Sequence, residues 1–154
     1  MDIYTIDNTK KLIRFIIPLF YEETGIAFNS DESVDYFVSG GCYELAKIVK
    51  HYFPDTEYVV RNDYDHVAIL ESGVIYDAYD FYEDWQLKAR NIKEKYYKKD
   101  LKDFYIATEE EIDNFPVEFN KEDKINGLTV SEKMIELIDE IPSVKVKRVK
   151  KGLK

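Results

Sequence analysis

The stretch His66-Val67-Ala68-Ile69-Leu70-Glu71-Ser72-Gly73-Val74-Ile75-Tyr76-Asp77 reads as two strands around a tight turn. Aliphatic and β-branched residues fill both arms, and Ser72-Gly73 supplies what a two-residue hairpin turn requires. With that turn Glu71 opposes Val74, and Ala68 opposes Asp77. Alternation places His66, Ala68 and Leu70 on one face and Val67 and Ile69 on the other. His66 and Asp77 then project from the same face as diagonal neighbours within reach of a side-chain hydrogen bond. An odd loop without a bulge would put them on opposite faces. An aspartate flanked by Ile75, Tyr76, Ala78 and Tyr79 also needs a partner, because an unpaired charge inside an apolar run is costly.

Working outward, Tyr58 to Arg61 reads as a third strand. Before it, Ser39-Gly40-Gly41 breaks the chain and Cys42 opens a helix that ends before Pro54. Leu45, Ala46 and Val49 share one side of that helix with Cys42, and Glu44, Lys47 and His51 take the polar side. A first helix capped by Asn8 or Thr9 has Leu12, Ile13, Phe15, Ile16, Leu19 and Phe20 as its apolar side, with Pro18 kinking or ending it. After Gly25, the polar stretch Asn29-Ser30-Asp31-Glu32 starts a short helix or turn carrying Val34, Tyr36, Phe37 and Val38.

Downstream, Val74 to Tyr79 is expected as one strand and Glu83 to Leu101 as a charged helix containing Trp85. Phe104 to Ala107 adds a strand, and Thr108 caps an acidic turn that ends at Pro116. A last helix over about Val130 to Ile141 stops at Pro142. The fold class expected is α+β, with the Cys42 helix packed on a small antiparallel sheet and flanked by N- and C-terminal helices.

A chain of 154 residues with 45% hydrophobic content can bury one core, so residues 1–144 are read as a single domain. Residues 145–154 are read as a basic, flexible tail rather than a docking arm. That tail holds six of the 22 basic residues and no acid, leaving 16 against 31 acidic residues elsewhere, so the body is near −15. Such a body repels phosphates and argues against general nucleic-acid binding. The apolar run from Leu12 to Phe20, broken by Arg14 and Pro18, is too short to span a bilayer or act as a signal-peptide core. One cysteine forms no intramolecular disulfide, and a reducing, cytoplasmic setting fits.

A thiol acts as a nucleophile in its thiolate form, which a helix N-terminus favours. Cys42 stands at such a position. The amides of Gly41 and Cys42 are candidates to receive a developing oxyanion. Of the two histidines, His51 lies nine positions along the same helix, about half a turn round and about 13 Å away, and is read as a solvated surface residue. His66 is therefore the candidate base and Asp77 the candidate orienter, with Asp80, Asp65 and Asp84 as rivals. A metal site built on His66, Asp77 and another carboxylate is disfavoured because only one usable histidine exists, and no cofactor is expected.

The order Gly41-Cys42-Tyr43-Glu44-Leu45-Ala46, then His66-Val67-Ala68-Ile69, then Val74-Ile75-Tyr76-Asp77 resembles the transglutaminase-like Cys-His-Asp branch of the papain-like superfamily, in a minimal form of the kind small phage and mobile-element proteins carry. The resemblance covers residues 39–80. It implies a nucleophile at a helix start with base and orienter on consecutive antiparallel strands. The interval of 24 residues between Cys42 and His66 is shorter than in larger transglutaminase-like enzymes.

The expected activity is a cysteine hydrolase or acyltransferase acting on an amide or ester carbonyl of a protein or peptide-like substrate, with peptidase, amidase and deamidase sharing one thioester intermediate. The alternative is a non-catalytic acidic binding or inhibitor protein that retains the fold. Its motive is the charge of the body together with Tyr76, Tyr79, Phe81, Tyr82 and Trp85 among acids, although core packing is the expectation for those aromatics.

Overall fold

Helices begin here where a side-chain oxygen meets the first free amides. In the computed structural model, which describes residues 2–24, 30–38, 40–63, 65–115 and 124–148, a short strand β1 (Tyr4–Ile6) leads into α1 (Thr9–Thr24). Asn8 Oδ1 accepts the Lys11 N–H at 2.9 Å and caps that helix. The helix runs through Pro18 instead of ending there. Pro18 is exposed, so water can take up the Arg14 carbonyl that the proline leaves without a donor. Next come α2 (Ser30–Val38) and α3 (Cys42–Tyr52). Of the segments read from sequence, Gly25, Asn29, Ser39, Pro116 and residues 149–154 lie outside the described residues.

The central sheet contains β2 (Glu57–Arg61), β3 (Val67–Glu71), β4 (Val74–Tyr76) and, from further along the chain, β5 (Phe104–Ala107). Their order is β4-β3-β2-β5, and every pairing is antiparallel. Glu71 opposes Val74, Leu70 opposes Ile75 and Ile69 opposes Tyr76. Ser72 and Gly73 turn the hairpin with φ of 50° and 80°, the left-handed pair that matches the twist of the strands. With helices packed on a small antiparallel sheet, the fold is α+β.

The strand expected to reach Tyr79 ends at Tyr76. Asp77 accepts the Tyr79 N–H at 3.0 Å, and Asp80 returns the favour by accepting the Asp77 N–H at 2.9 Å. This reciprocal capping converts Ala78–Phe81 into a 3-10 turn. The helix expected over Glu83–Leu101 is broken into α4 (Asp84–Ala89), α5 (Glu94–Tyr97) and a 3-10 turn at Leu101–Asp103. Asn91 takes φ of 61°, and the Ile92 N–H returns to the Leu87 carbonyl at 3.1 Å, a helix stop that needs a residue tolerant of the left-handed region. In α4 Leu87 is buried, and Trp85, two positions before it and about 200° round the axis, is 69% exposed instead of joining the core.

Thr108 caps α6 (Glu109–Asp113) through a reciprocal bond with Glu111. A two-stranded hairpin, β6 (Lys124–Ile125) and β7 (Leu128–Thr129), precedes α7 (Val130–Asp139) and β8 (Val144–Val146). β8 pairs in parallel with β1, Tyr4 opposite Val144. The basic end is thus not a free tail from residue 145. The Lys147 N–H reaches the Ile6 carbonyl at 2.9 Å, and Arg148 pairs with Asp55 at 3.0 Å, with Glu71, and with the face of the Phe53 ring.

The core lies between this sheet and the helices. From α3, Cys42, Tyr43, Leu45, Ala46, Ile48 and Val49 are all buried, and Val60, Val67 and Ile69 meet them from the sheet. Burial of each large side chain stabilises the fold by about 1.5–3 kcal/mol. α3 is accordingly the central element. Glu44, expected on the polar side, is also buried and accepts the Ser131 N–H of α7 at 3.0 Å. Packing of α7 over α3 encloses it, and its charge is balanced by the Ser131 amide in the first turn of α7 and by Lys47, 3.7 Å from its other oxygen.

Candidate active site

Two pieces of local structure deliver the site. Between β2 and β3 the chain turns back so that the Arg61 N–H bonds the His66 carbonyl at 2.9 Å. The Arg61 guanidinium holds the turn with Asp63 at 3.1 Å and Asp65 at 3.0 Å. His66 therefore enters immediately before β3. On the neighbouring strand, the two-residue hairpin carries Asp77 to the position just past β4, where its capping role fixes the carboxylate.

His66 Nε2 lies 2.8 Å from Asp77 Oδ2, and both residues are buried, at 4% and 3% exposure. The Cys42 thiol is close enough to the ring to help raise its pKa. Since Nε2 is taken by Asp77, Nδ1 is the ring nitrogen that remains for a second partner. The sulfur has a further partner, because the Val67 N–H at the start of β3 donates to Sγ at 3.3 Å. Cys42, His66 and Asp77 are therefore together, and of the rival carboxylates Asp65 faces solvent and Arg61 while Asp80 bonds elsewhere. His51 is exposed on the far side of α3.

Burial alone would push the His66 ring below its usual value. The hydrogen bond to Asp77, with further contributions from Cys42 and from the Asp77 charge, outweighs burial and raises it to about 9. For Asp77, too, burial opposes ionisation, but the Lys99 ammonium and the bond and charge of His66 hold the carboxyl well below the usual range.

Lys99 was not legible as part of this site. Its side chain is 6% exposed, and its ammonium lies 3.0 Å from Asp77 Oδ1 and 2.7 Å from Asp80 Oδ2. In sequence it is one lysine in a run that includes Lys98 and Lys102, and nothing there distinguishes it. Burial pushes it down, and the two carboxylates, which prevail, push it up. Asp80 is raised, first by burial and then by the Asp77 charge, with Lys99 opposing.

The oxyanion expectation requires a correction at Gly41. Its N–H is already committed to the Tyr36 carbonyl at 3.0 Å. The glycine has another reason: a Cβ there would lie 2.3–2.7 Å from atoms of the Tyr36 ring, which stacks on Phe20 at 5.0 Å between centroids. The Cys42 N–H, first in its helix, has no partner within the helix.

Cys42 itself is 2% exposed. Two surface cavities flank the network, one of about 360 Å3 bordered by Arg61, Asp65 and Tyr96, the other of about 480 Å3 bordered by Lys99 and Asp103; Cys42 and His66 line neither. Among the described residues no group of three or more His, Cys, Asp or Glu side chains is arranged to hold a metal ion. No described helix is long and apolar enough to cross a membrane.

No curated protein and no solved structure matches this chain. A family model, Phage YunG-like protein, matches residues 21–128, a span that includes Cys42, His66, Asp77 and Lys99. Because that match takes in well over half of the sequence, the chain belongs to the Phage YunG-like protein family.

Proposed function

We propose that this protein is a cysteine hydrolase or acyltransferase with a Cys42-His66-Asp77 triad of the transglutaminase-like, papain-like kind. The observation that carries the reading is the buried His66–Asp77 pair at 2.8 Å beside the Cys42 sulfur, which accepts the N–H of Val67, the residue next to His66, at 3.3 Å. A ring raised to about 9 holds its proton at neutral pH, as an imidazolium facing a thiolate requires.

In this mechanism Cys42 Sγ attacks the carbonyl carbon of an amide or ester, and the C=O electron pair moves to oxygen beside the Cys42 N–H. Collapse of the adduct expels the amine or alcohol, which takes the His66 proton and leaves a thioester. His66 then removes a proton from water, the hydroxyl attacks the thioester, and the thiolate and imidazolium are restored. An amine in place of water makes the reaction a transfer. Asp77 keeps the ring oriented and balances its charge throughout. A protein or peptide-like substrate and a reducing, cytoplasmic setting accompany the reading. Since Sγ is buried, attack also requires the site to open.

The experiment is iodoacetamide alkylation of Cys42 at neutral pH. The expected result is a rate above that of free cysteine that collapses in His66→Ala; a rate no faster than free cysteine and indifferent to His66 refutes the activated pair. Burial of the thiol favours a second reading, an acidic binding or inhibitor protein that keeps the fold without turnover. A salt-sensitive complex with a basic partner, formed equally by Cys42→Ala, would select it.

A further inference from the structure

The buried charges behind the imidazole number more than a triad needs. Asp77 and Asp80 are both carboxylates, joined through the Asp77 N–H to Asp80 Oδ2 at 2.9 Å. Two anions so close, both largely buried, repel each other strongly unless a cation lies between them. Lys99 occupies that position, within 3.0 Å of each. The cluster then carries one net negative charge, the amount that complements one imidazolium. The geometry is also directional, because Oδ1 of Asp77 is occupied by Lys99 and the Tyr79 N–H, which leaves Oδ2 for His66.

We propose that Lys99 is a positioning residue for the Cys42–His66 pair: shared between Asp77 and Asp80, its ammonium sets the net charge behind His66 at minus one and turns the Asp77 carboxylate to the ring. This assignment rests on the triad reading for its catalytic meaning, while its electrostatic content stands on the cluster alone. Other groups feel the same field. Tyr76 is subject to Lys99, Asp80 and Glu71, and Tyr79 to Asp77, Asp35 and Arg61. Arg14 touches the cluster only at the Asp80 backbone carbonyl, at 3.0 Å. Among these groups, Lys99 is the cation whose side chain contacts both carboxylates.

The test follows the sign of each charge. Removing a cation raises the pKa of neighbouring groups, and removing an anion lowers it. The His66 ring resonances are titrated by NMR, and the alkylation rate of Cys42 is measured across the same pH range. Lys99→Met should move the His66 titration up by about one pH unit. Asp80→Asn should move it down by a similar amount. The double variant, which restores one net negative charge, should return it close to the wild-type position. A purely packing role for the lysine methylenes predicts no such return.

A titration unmoved in both single variants, or a double variant that remains displaced, overturns the proposal. If Lys99→Met does not fold, Asp80→Asn and the double variant still decide it. The ring titration also separates the two claims. A normal, slow thiol with a His66 titration that follows the three charges refutes catalysis and leaves the charge assignment standing; a fast thiol with an unmoved titration does the reverse.

Discussion

Asp77→Ala is the perturbation on which most of the buried polar structure depends. The carboxylate's hydrogen bonds include those to His66 Nε2 at 2.8 Å, Lys99 Nζ at 3.0 Å and the Tyr79 N–H at 3.0 Å. Removing one partner of a buried charged pair costs about 3–5 kcal/mol, because the group left behind remains desolvated. Lys99 keeps Asp80 at 2.7 Å, so it is not orphaned, and the lower end of that range applies. A loss of about 3 kcal/mol is a large part of the 5–15 kcal/mol that holds a typical domain. At 2–4 °C per kcal/mol for a chain of this size, Tm falls by roughly 10 °C. Urea denaturation of wild type and variant, followed by circular dichroism, measures the difference. Lys102→Ala, which breaks the exposed Lys102–Asp100 pair, is the surface control and should be nearly silent. If Asp77→Ala still folds and loses less than about 1 kcal/mol, the carboxylate is not holding His66 and Lys99 as described, and the argument for a preorganised imidazole fails.

Gly41→Ala should cost about 1–3 kcal/mol by forcing the Tyr36 ring aside, again read by urea denaturation. Stability of Cys42→Ala, a background that removes the proton of the thiol from the balance, should depend on pH through His66. The folded ring is raised above the ordinary 6.5, so its contribution is complete below that value and is lost as pH rises through the folded pKa. That folded pKa lies below about 9 here, since the Cys42 contributions are gone; denaturation curves at pH 6 and 9 test the sign. Arg148→Ala should loosen the pairing of β8 with β1, seen as faster amide hydrogen exchange at Lys147, because Asp55, Glu71 and the Phe53 face all lose their shared partner.

Much of this architecture depends on short-range rules that can be read along the chain. A two-residue Ser72-Gly73 turn has only one register, and parity then brings His66 and Asp77 to one side; the observed Glu71–Val74 pairing is that register. The break before Cys42 and the apolar spacing after it locate α3, and Thr108 with Glu111 announces α6. The Asn126-Gly127 turn between β6 and β7, where both residues take positive φ, was not read from the sequence, because its two-residue arms are too short to show alternation. Ends of elements were less legible. Asp77 stops β4 by capping with Asp80, and Asn91 stops α4 by entering the left-handed region, where local side-chain bonds compete with continued strand or helix.

What sequence alone determined, then, are the positions of the main helices α1, α3 and α7, the strands of the central sheet and the parity that relates His66 to Asp77, because these follow from bonds and alternation over a few residues. Tertiary structure decided the rest: that Lys99, 22 residues beyond Asp77, supplies the cation between two carboxylates, that Glu44 is buried against α7, and that Arg148 ties the basic end to Asp55 and Glu71. Those contacts join charges far apart in the chain. Their partners are selected by which surfaces the packed core brings together and shields from water, and no local pattern encodes that choice.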